Sequence, residues 1–228
     1  MQDTIKKMFE AGVHFGYSKS RRHPTTAKNV FGTKNGSDVI DLEKTVTQLA
    51  TAKEFLKKLG QDKKAVLLVG AKAEARYTIA HKAAAFDLPV VSERWVGGIL
   101  TNFTEIKKRL KKLEELKHDK ETGVLEARYT KKERLLIDEK IAKMTRLFSG
   151  LLGMEKNPDA LVVIDPRREH IAMAEAKMIG IPVVALANTD CDVSGIDYPI
   201  VGNDASVSSI TFMAEELLNA YKEGRGNV

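Results

Sequence analysis

The chain has 228 residues, 43% apolar and 30% charged, with a net charge of +6, enough to bury one core and carry an appendage, so one main domain with an insertion is expected. It contains no run of about 18 apolar residues, and Met1 to Glu10 hold no long apolar stretch, which argues against a transmembrane helix and a signal peptide and makes the cytosol the expected location. Cys191 is alone and His14, His23, His81, His118 and His170 are scattered, so neither an internal disulfide nor a zinc site is predicted, and no cofactor is expected.

Residues 1–36 read as a basic arm. Ala11-Gly12-Val13-His14-Phe15-Gly16-Tyr17 sets His and aromatic side chains between glycines, and Lys19, Arg21, Arg22, His23, Lys28 and Lys34 follow. Cations interleaved with rings suit RNA, where charge neutralises phosphate and flat groups stack on unpaired bases. For His14 and Phe15 packing onto the protein's own surface is the simpler reading, whereas Arg21 and Arg22 point to RNA contact.

Asp41 is a helix-cap candidate ahead of the stripe Leu42, Val46, Leu49, Leu56 and Leu59. Apolar runs then recur as 65–69, 89–91, 160–164 and 182–186, with a weaker one at 198–201, and helical patterns fit 73–86, 168–179 and 204–222. Runs without polar alternation are strands covered on both faces, and strand alternating with helix predicts a doubly wound α/β fold with a mainly parallel sheet. After the first run, Val69-Gly70-Ala71-Lys72-Ala73-Glu74 has neither the glycines of a dinucleotide loop nor a Walker pattern.

Glu93-Arg94-Trp95-Val96-Gly97-Gly98 precedes a change of rhythm. Phe103, Ile106, Leu110 and Leu113, and later Ile137, Ile141, Met144, Phe148 and Leu151, step by threes and fours. That heptad seam predicts an antiparallel coiled-coil hairpin over 103–151, each arm about 20 Å long if it has about 15 residues. Asn102 with Glu105, and Thr130 with Glu133, are capping-box pairs at the two helix starts. Trp95, Gly97, Gly98 and Phe103 are expected to orient the hairpin at its base, and Arg94 to reach phosphate. The outer face is rich in cations, Lys107, Lys108, Arg109, Lys111, Lys112, Lys131 and Lys132.

Three parts follow: the arm at 1–36, the α/β domain at 37–102 and 152–228, and the hairpin at 103–151. By segment, residues 1–36 carry a net +5, 37–103 +2, 104–146 +5 and 147–228 −6. This asymmetry is expected if one side of the molecule meets phosphate, and it also occurs in ordinary solvated surfaces.

Several of these stretches together resemble the bacterial-type ribosomal protein S-two family: 11–16, Phe31-Gly32-Thr33-Lys34-Asn35-Gly36, Ile40-Asp41-Leu42-Glu43-Lys44-Thr45-Val46, 93–103 and Gly202-Asn203-Asp204. The resemblance runs in order from about residue 5 to Arg225. It implies a flavodoxin-like sheet domain with a protruding coiled coil, bound to small-subunit ribosomal RNA and to other small-subunit ribosomal proteins, with ribosomal protein S-one among the neighbours it suggests. It also implies a protein of the cytoplasmic ribosome without catalytic activity. Departures are Tyr17 where the family commonly has a second His, His23-Pro24-Thr25-Thr26 in place of a pattern nearer Asn-Pro-Lys-Met, and Asn29 in place of Pro. A Pro is also missing after Asp192, and Ser206 stands where a second acidic residue is common.

The expected RNA contacts are Arg21, Arg22, Lys28, Lys34, Arg94, Lys107, Lys108 and Arg109, with no membrane partner and no homo-oligomer. Two other classes stay open on the residues. Asp165, Arg167, Asp190 and Asp192 fall where α/β enzymes bind phosphorylated substrates, although helix-start and turn chemistry explain them as well. Alternatively, the hairpin is an adaptor that binds only protein.

Overall fold

The computed structural model describes residues 2–226. In chain order its elements are α1 (Gln2–Glu10), β1 (Phe15–Ser18), β2 (Val30–Lys34), β3 (Ser37–Ile40), α2 (Leu42–Gln61), β4 (Val66–Val69), α3 (Ala73–Ala85), β5 (Val90–Val91), α4 (Phe103–Glu121), α5 (Val124–Arg128), α6 (Lys131–Phe148), β6 (Ala160–Ile164), α7 (His170–Ile179), β7 (Val183–Ala187), β8 (Tyr198–Val201) and α8 (Val207–Arg225).

The apolar runs assemble into one five-stranded sheet, ordered β5-β4-β6-β7-β8, with every pairing parallel. Counted from its own first strand the order is 2-1-3-4-5, that of flavodoxin-like sheets. Side-chain alternation divides the interior in two. Val66 and Leu68 of β4, Ala160, Val162 and Ile164 of β6, and Val184 and Leu186 of β7 join α2, α3 and α8. Leu67, Val69, Leu161, Val163, Val183 and Ala185 face α7, Trp95 and the base of α4 and α6. Both faces are therefore dry, which is why these strands are apolar at every position.

Residues 1–36, read as an arm, fold back as α1 and two strands that join β3 in an antiparallel sheet of order β1-β3-β2. Asn35 and Gly36 close β2 onto β3 with φ of 52° and 78°, the paired left-handed geometry of a tight Asn-Gly hairpin turn. The strands are four or five residues long and broken by register shifts, too short for a clear period-two pattern.

Helices α4 and α6 lie side by side and bury Ile106, Leu110, Leu113, Leu116, Ile141 and Phe148. This seam continues the core beneath the sheet. With 19 residues, α4 extends about 28 Å, longer than the seam alone predicts. At the start of α6, Glu133 accepts from the Thr130 N–H and Oγ1, both at 2.9 Å, completing the expected capping box. The box expected at Asn102 does not form. Its side chain makes no cap hydrogen bond, and the Glu105 carboxylate is held instead by Lys108 at 2.6 Å.

Candidate nucleic-acid interface

In a doubly wound sheet the ligand crevice lies at the carboxyl ends of the strands where the order reverses, here between β4 and β6. Buried Lys72, just past β4, places Nζ 3.1 Å from Asp165 Oδ2 after β6 and 3.1 Å from Asp204 Oδ2 after β8. The contact with Asp204 is one of charge, without hydrogen-bond geometry at that oxygen; Asn188 donates to the other oxygen at 3.0 Å. Burial and the facing Asp165 push the Asp204 carboxyl up to about 6, against the opposing pull of Lys72 and Asn188. Burial works to lower the Lys72 ammonium, but Asp204 and Asp165 outweigh it and hold its pKa above the ordinary lysine range.

The N-terminal segment covers this edge. The Tyr17 hydroxyl accepts from Lys72 at 3.2 Å, and the Tyr17 N–H donates to Thr189 Oγ1 at 3.0 Å. Thr189 O accepts from the His23 N–H at 2.8 Å and from Thr26 Oγ1 at 2.7 Å. Gly16 passes so close that a Cβ would lie 2.8 Å from Thr189 Cγ2. Between β4 and β6 the crevice is occupied by Tyr17, while a groove lined by Arg167, His170 and Asp192 stays open beyond β6 and β7.

The carboxylates weighed for an enzyme are likewise engaged. Asp165 pairs with Lys72, and buried Asp190 takes Arg167 at 2.6 Å and Arg21 at 2.9 Å on one oxygen. Asp192 accepts from the Ser194 N–H and hydroxyl at 2.9 and 2.8 Å.

The segment leading into α4 is bound by a residue that sequence reading missed. Glu175, on α7, is buried and accepts five hydrogen bonds: Trp95 Nε1 at 3.0 Å, the N–H groups of Gly98, Leu100 and Thr101 at 2.8, 3.0 and 3.1 Å, and Thr101 Oγ1 at 3.1 Å. Burial works to raise this carboxyl, but the indole and backbone donors outweigh it and hold the pKa below the usual range. Trp95 and Gly98 thus bind the same carboxylate, Gly98 with a φ of +94° that favours glycine. Phe103 packs against the core beneath the sheet. At Gly97 a Cβ would meet nothing within 4 Å and the backbone is not left-handed, so the turn does not require glycine there.

The cations differ in availability. Lys28, Lys34, Arg94 and Arg109 are exposed and have no ion-pair partner among the described residues. Lys107 is exposed and reaches only the Glu155 carbonyl, at 3.5 Å. Lys108 pairs with Glu105 on its own helix, an exposed contact worth well under about 1 kcal/mol that a phosphate can displace. Arg21 stacks 4.2 Å over the Tyr17 ring and gives one N–H to Asp190, leaving a side chain 52% exposed. Arg22 is bound at both Nε and Nη2 by the fully buried carboxylate of Asp38, at 2.7 and 2.5 Å. That geometry makes Arg22 a structural cation, because turning it toward phosphate would leave Asp38 buried and unpaired.

The charge asymmetry along the sequence is not carried into space. Acidic groups of the last third pair with bases from earlier segments: Glu216 with Lys53 at 2.5 Å, Glu215 with Lys82 at 2.5 Å and Glu223 with Lys57 at 3.4 Å. Cations without an ion-pair partner among the described residues remain on the N-terminal segment, on the α/β domain and on the hairpin.

A flavodoxin-like sheet with Tyr17 laid over its switch point, and a helical hairpin bearing exposed cations, defines the chain as an α/β protein with a projecting helical insertion. Residues 8–224 match the family described as ribosomal protein S2. Curated relatives called small ribosomal subunit protein uS2 are 40% identical in Dictyoglomus thermophilum, covering 97% of this chain and 89% of that protein, and 41% identical in Chloroflexus aurantiacus, covering 97% and 92%. One from Rhodococcus opacus is 40% identical, covering 97% and 76%. The chain belongs to the ribosomal protein S2 family.

Proposed function

We propose that this protein is a structural component of the small ribosomal subunit that binds ribosomal RNA and neighbouring ribosomal proteins and is not an enzyme. The observation that carries the reading is the family match across residues 8–224. The crevice between β4 and β6, occupied by Tyr17, supports it, since its cations and carboxylates satisfy each other.

In this reading the three parts are a basic N-terminal segment at 1–36, the α/β domain at 37–102 and 152–228, and a coiled-coil hairpin at 103–151. Exposed Lys28, Lys34, Arg94, Lys107 and Arg109 contact RNA phosphate, joined by Arg21 through its free N–H groups and by Lys108 after exchange of its carboxylate. Trp95, Gly98 and Phe103 fix the angle of the hairpin. Ribosomal protein S-one is a protein partner on the strength of the family resemblance.

Sedimentation of native extract through sucrose at low and high salt tests the proposal. Migration with the small subunit, released by salt, is the expected result. Recovery only among free proteins at low salt would refute it.

A further inference from the structure

Many cations of the molecule have no internal partner, and four of them line up on one helix. On α6, Lys132, Lys140, Lys143 and Arg146 are all exposed and none has a hydrogen-bond or ion-pair partner among the described residues. At about 100° per residue they fall within a sector of about 120° and span about 21 Å along the helix. The buried positions Ile141 and Phe148 lie on the opposite side. Glu139 is the one carboxylate in that sector.

Helix α4 is arranged differently. Lys108 and Lys112 pair with Glu105 and Glu115 at 2.6 and 3.2 Å, and Lys107 reaches the Glu155 carbonyl. Its unpaired cations Arg109, Lys111 and Lys117 are spread around the helix, Arg109 and Lys111 about 160° apart.

We infer that the outer face of α6, through Lys132, Lys140, Lys143 and Arg146, is the surface by which the hairpin holds an RNA phosphate backbone, ahead of the α4 cations. The inference rests on the RNA-binding reading above and names the face that performs it. Four exposed point charges in a row, with Glu139 the one carboxylate among them and unpaired, need no internal ion pair broken when they meet phosphates. An ordinary solubilising face would interleave the two signs and pair them at i, i+4, as α4 does at i, i+3. Leu135 and Leu136, 61% and 57% exposed, lie between Lys132 and Lys140, so a protein partner docking on them would cover the tip half of the ladder and leave Lys143 and Arg146 outside its apolar contact.

The test measures binding of the full chain to small-subunit ribosomal RNA between 50 and 200 mM salt, for three proteins. These are the unaltered chain, a variant with Lys132→Gln, Lys140→Gln, Lys143→Gln and Arg146→Gln, and a variant with Lys107→Gln, Lys108→Gln and Arg109→Gln. All the substitutions are exposed and keep helix propensity, and far-ultraviolet circular dichroism confirms folding. Each phosphate contact contributes about 0.7 to 0.9 to the log–log slope. The α6 variant should lose about 3 from the slope, so that the unaltered chain weakens about 60-fold more across that salt range. The α4 variant should lose less. A slope for the α6 variant within about 1 of the unaltered chain, with the unaltered slope steep, overturns this assignment while leaving RNA binding intact. That result together with loss of a ribosomal protein neighbour would assign the face to protein instead. A flat slope in the unaltered chain removes the RNA-binding reading itself.

Discussion

Replacing Glu175 with Ala removes the acceptor for the Trp95 indole, three backbone N–H groups and the Thr101 hydroxyl at once. A hydrogen bond to a charged group contributes about 1.5 to 3 kcal/mol, and a buried donor left unpaired costs about 1 to 3 kcal/mol. Four N–H donors left dry would cost roughly 4 to 12 kcal/mol. The vacated carboxylate volume, however, lies among polar donors and admits water, which satisfies some of them. The expected loss is therefore about 3 to 5 kcal/mol, a large share of the roughly 5 to 15 kcal/mol that holds a domain folded. Urea unfolding followed by Trp95 fluorescence reads that loss, and hydrogen exchange at the amides of Gly98, Leu100 and Thr101 locates it. Acid adds an independent signature. Because the folded pKa of Glu175 lies below its unfolded value, its contribution is fully present above the unfolded glutamate value, about 4.3, and disappears as pH falls through the folded pKa. Glu175→Gln should remove that portion of the acid limb. A loss below about 1 kcal/mol, with exchange at the three amides unchanged, would refute the clamp.

Arg22→Ala should cost about 3 to 5 kcal/mol in urea unfolding, because Asp38 stays buried with only Thr33 to donate to it. Adding Asp38→Asn should recover part of the loss, and full additivity of the two changes would contradict the pairing. Hydrogen bonding to Arg22 holds the Asp38 carboxyl below its usual range, so the pair stabilises above about pH 4 and fades as pH falls further. Lys72→Met leaves Asp165 and Asp204 facing each other without a cation. The Asp204 carboxyl, already raised to about 6, should rise further, and since a raised carboxyl destabilises the fold as it ionises, the variant should lose stability between pH 5 and 8 more steeply than the unaltered chain. Parallel pH profiles of the two proteins would show that Lys72 does not govern that titration.

The large elements are legible in the sequence because each carries one simple constraint repeated. Two-sided burial makes Val66 to Val69 and Ala160 to Ile164 apolar throughout, and the hairpin seam makes Ile106, Leu110 and Leu113 recur at helical spacing. The Thr130 and Glu133 cap is legible because both partners are local. The interface is less so, since its decisive contacts join distant positions. Glu175 reads as one polar residue on an amphipathic helix, and nothing near it signals donors about 75 to 80 residues earlier. Arg21 and Arg22 look like free cations until folding brings Asp190 and Asp38 to them. The one cue within β1 to β3 is Asn35-Gly36, a hairpin turn whose flanking strands are too short to announce themselves.

The cover over the sheet's carboxyl edge also sets an order of events as the chain is made. Tyr17 and Thr189 are 172 residues apart, Gly12 and Asn203 are 191 apart, and Ala11 and Ser208 are 197 apart. At about 5 to 20 residues per second, the first segment out of the ribosome waits roughly 9 to 34 s for Thr189 to be synthesised. Until then Tyr17 lacks Thr189 and Arg21 lacks Asp190. The earliest-made part of the protein therefore docks on the sheet's edge through contacts of very high sequence separation, the kind that slow folding.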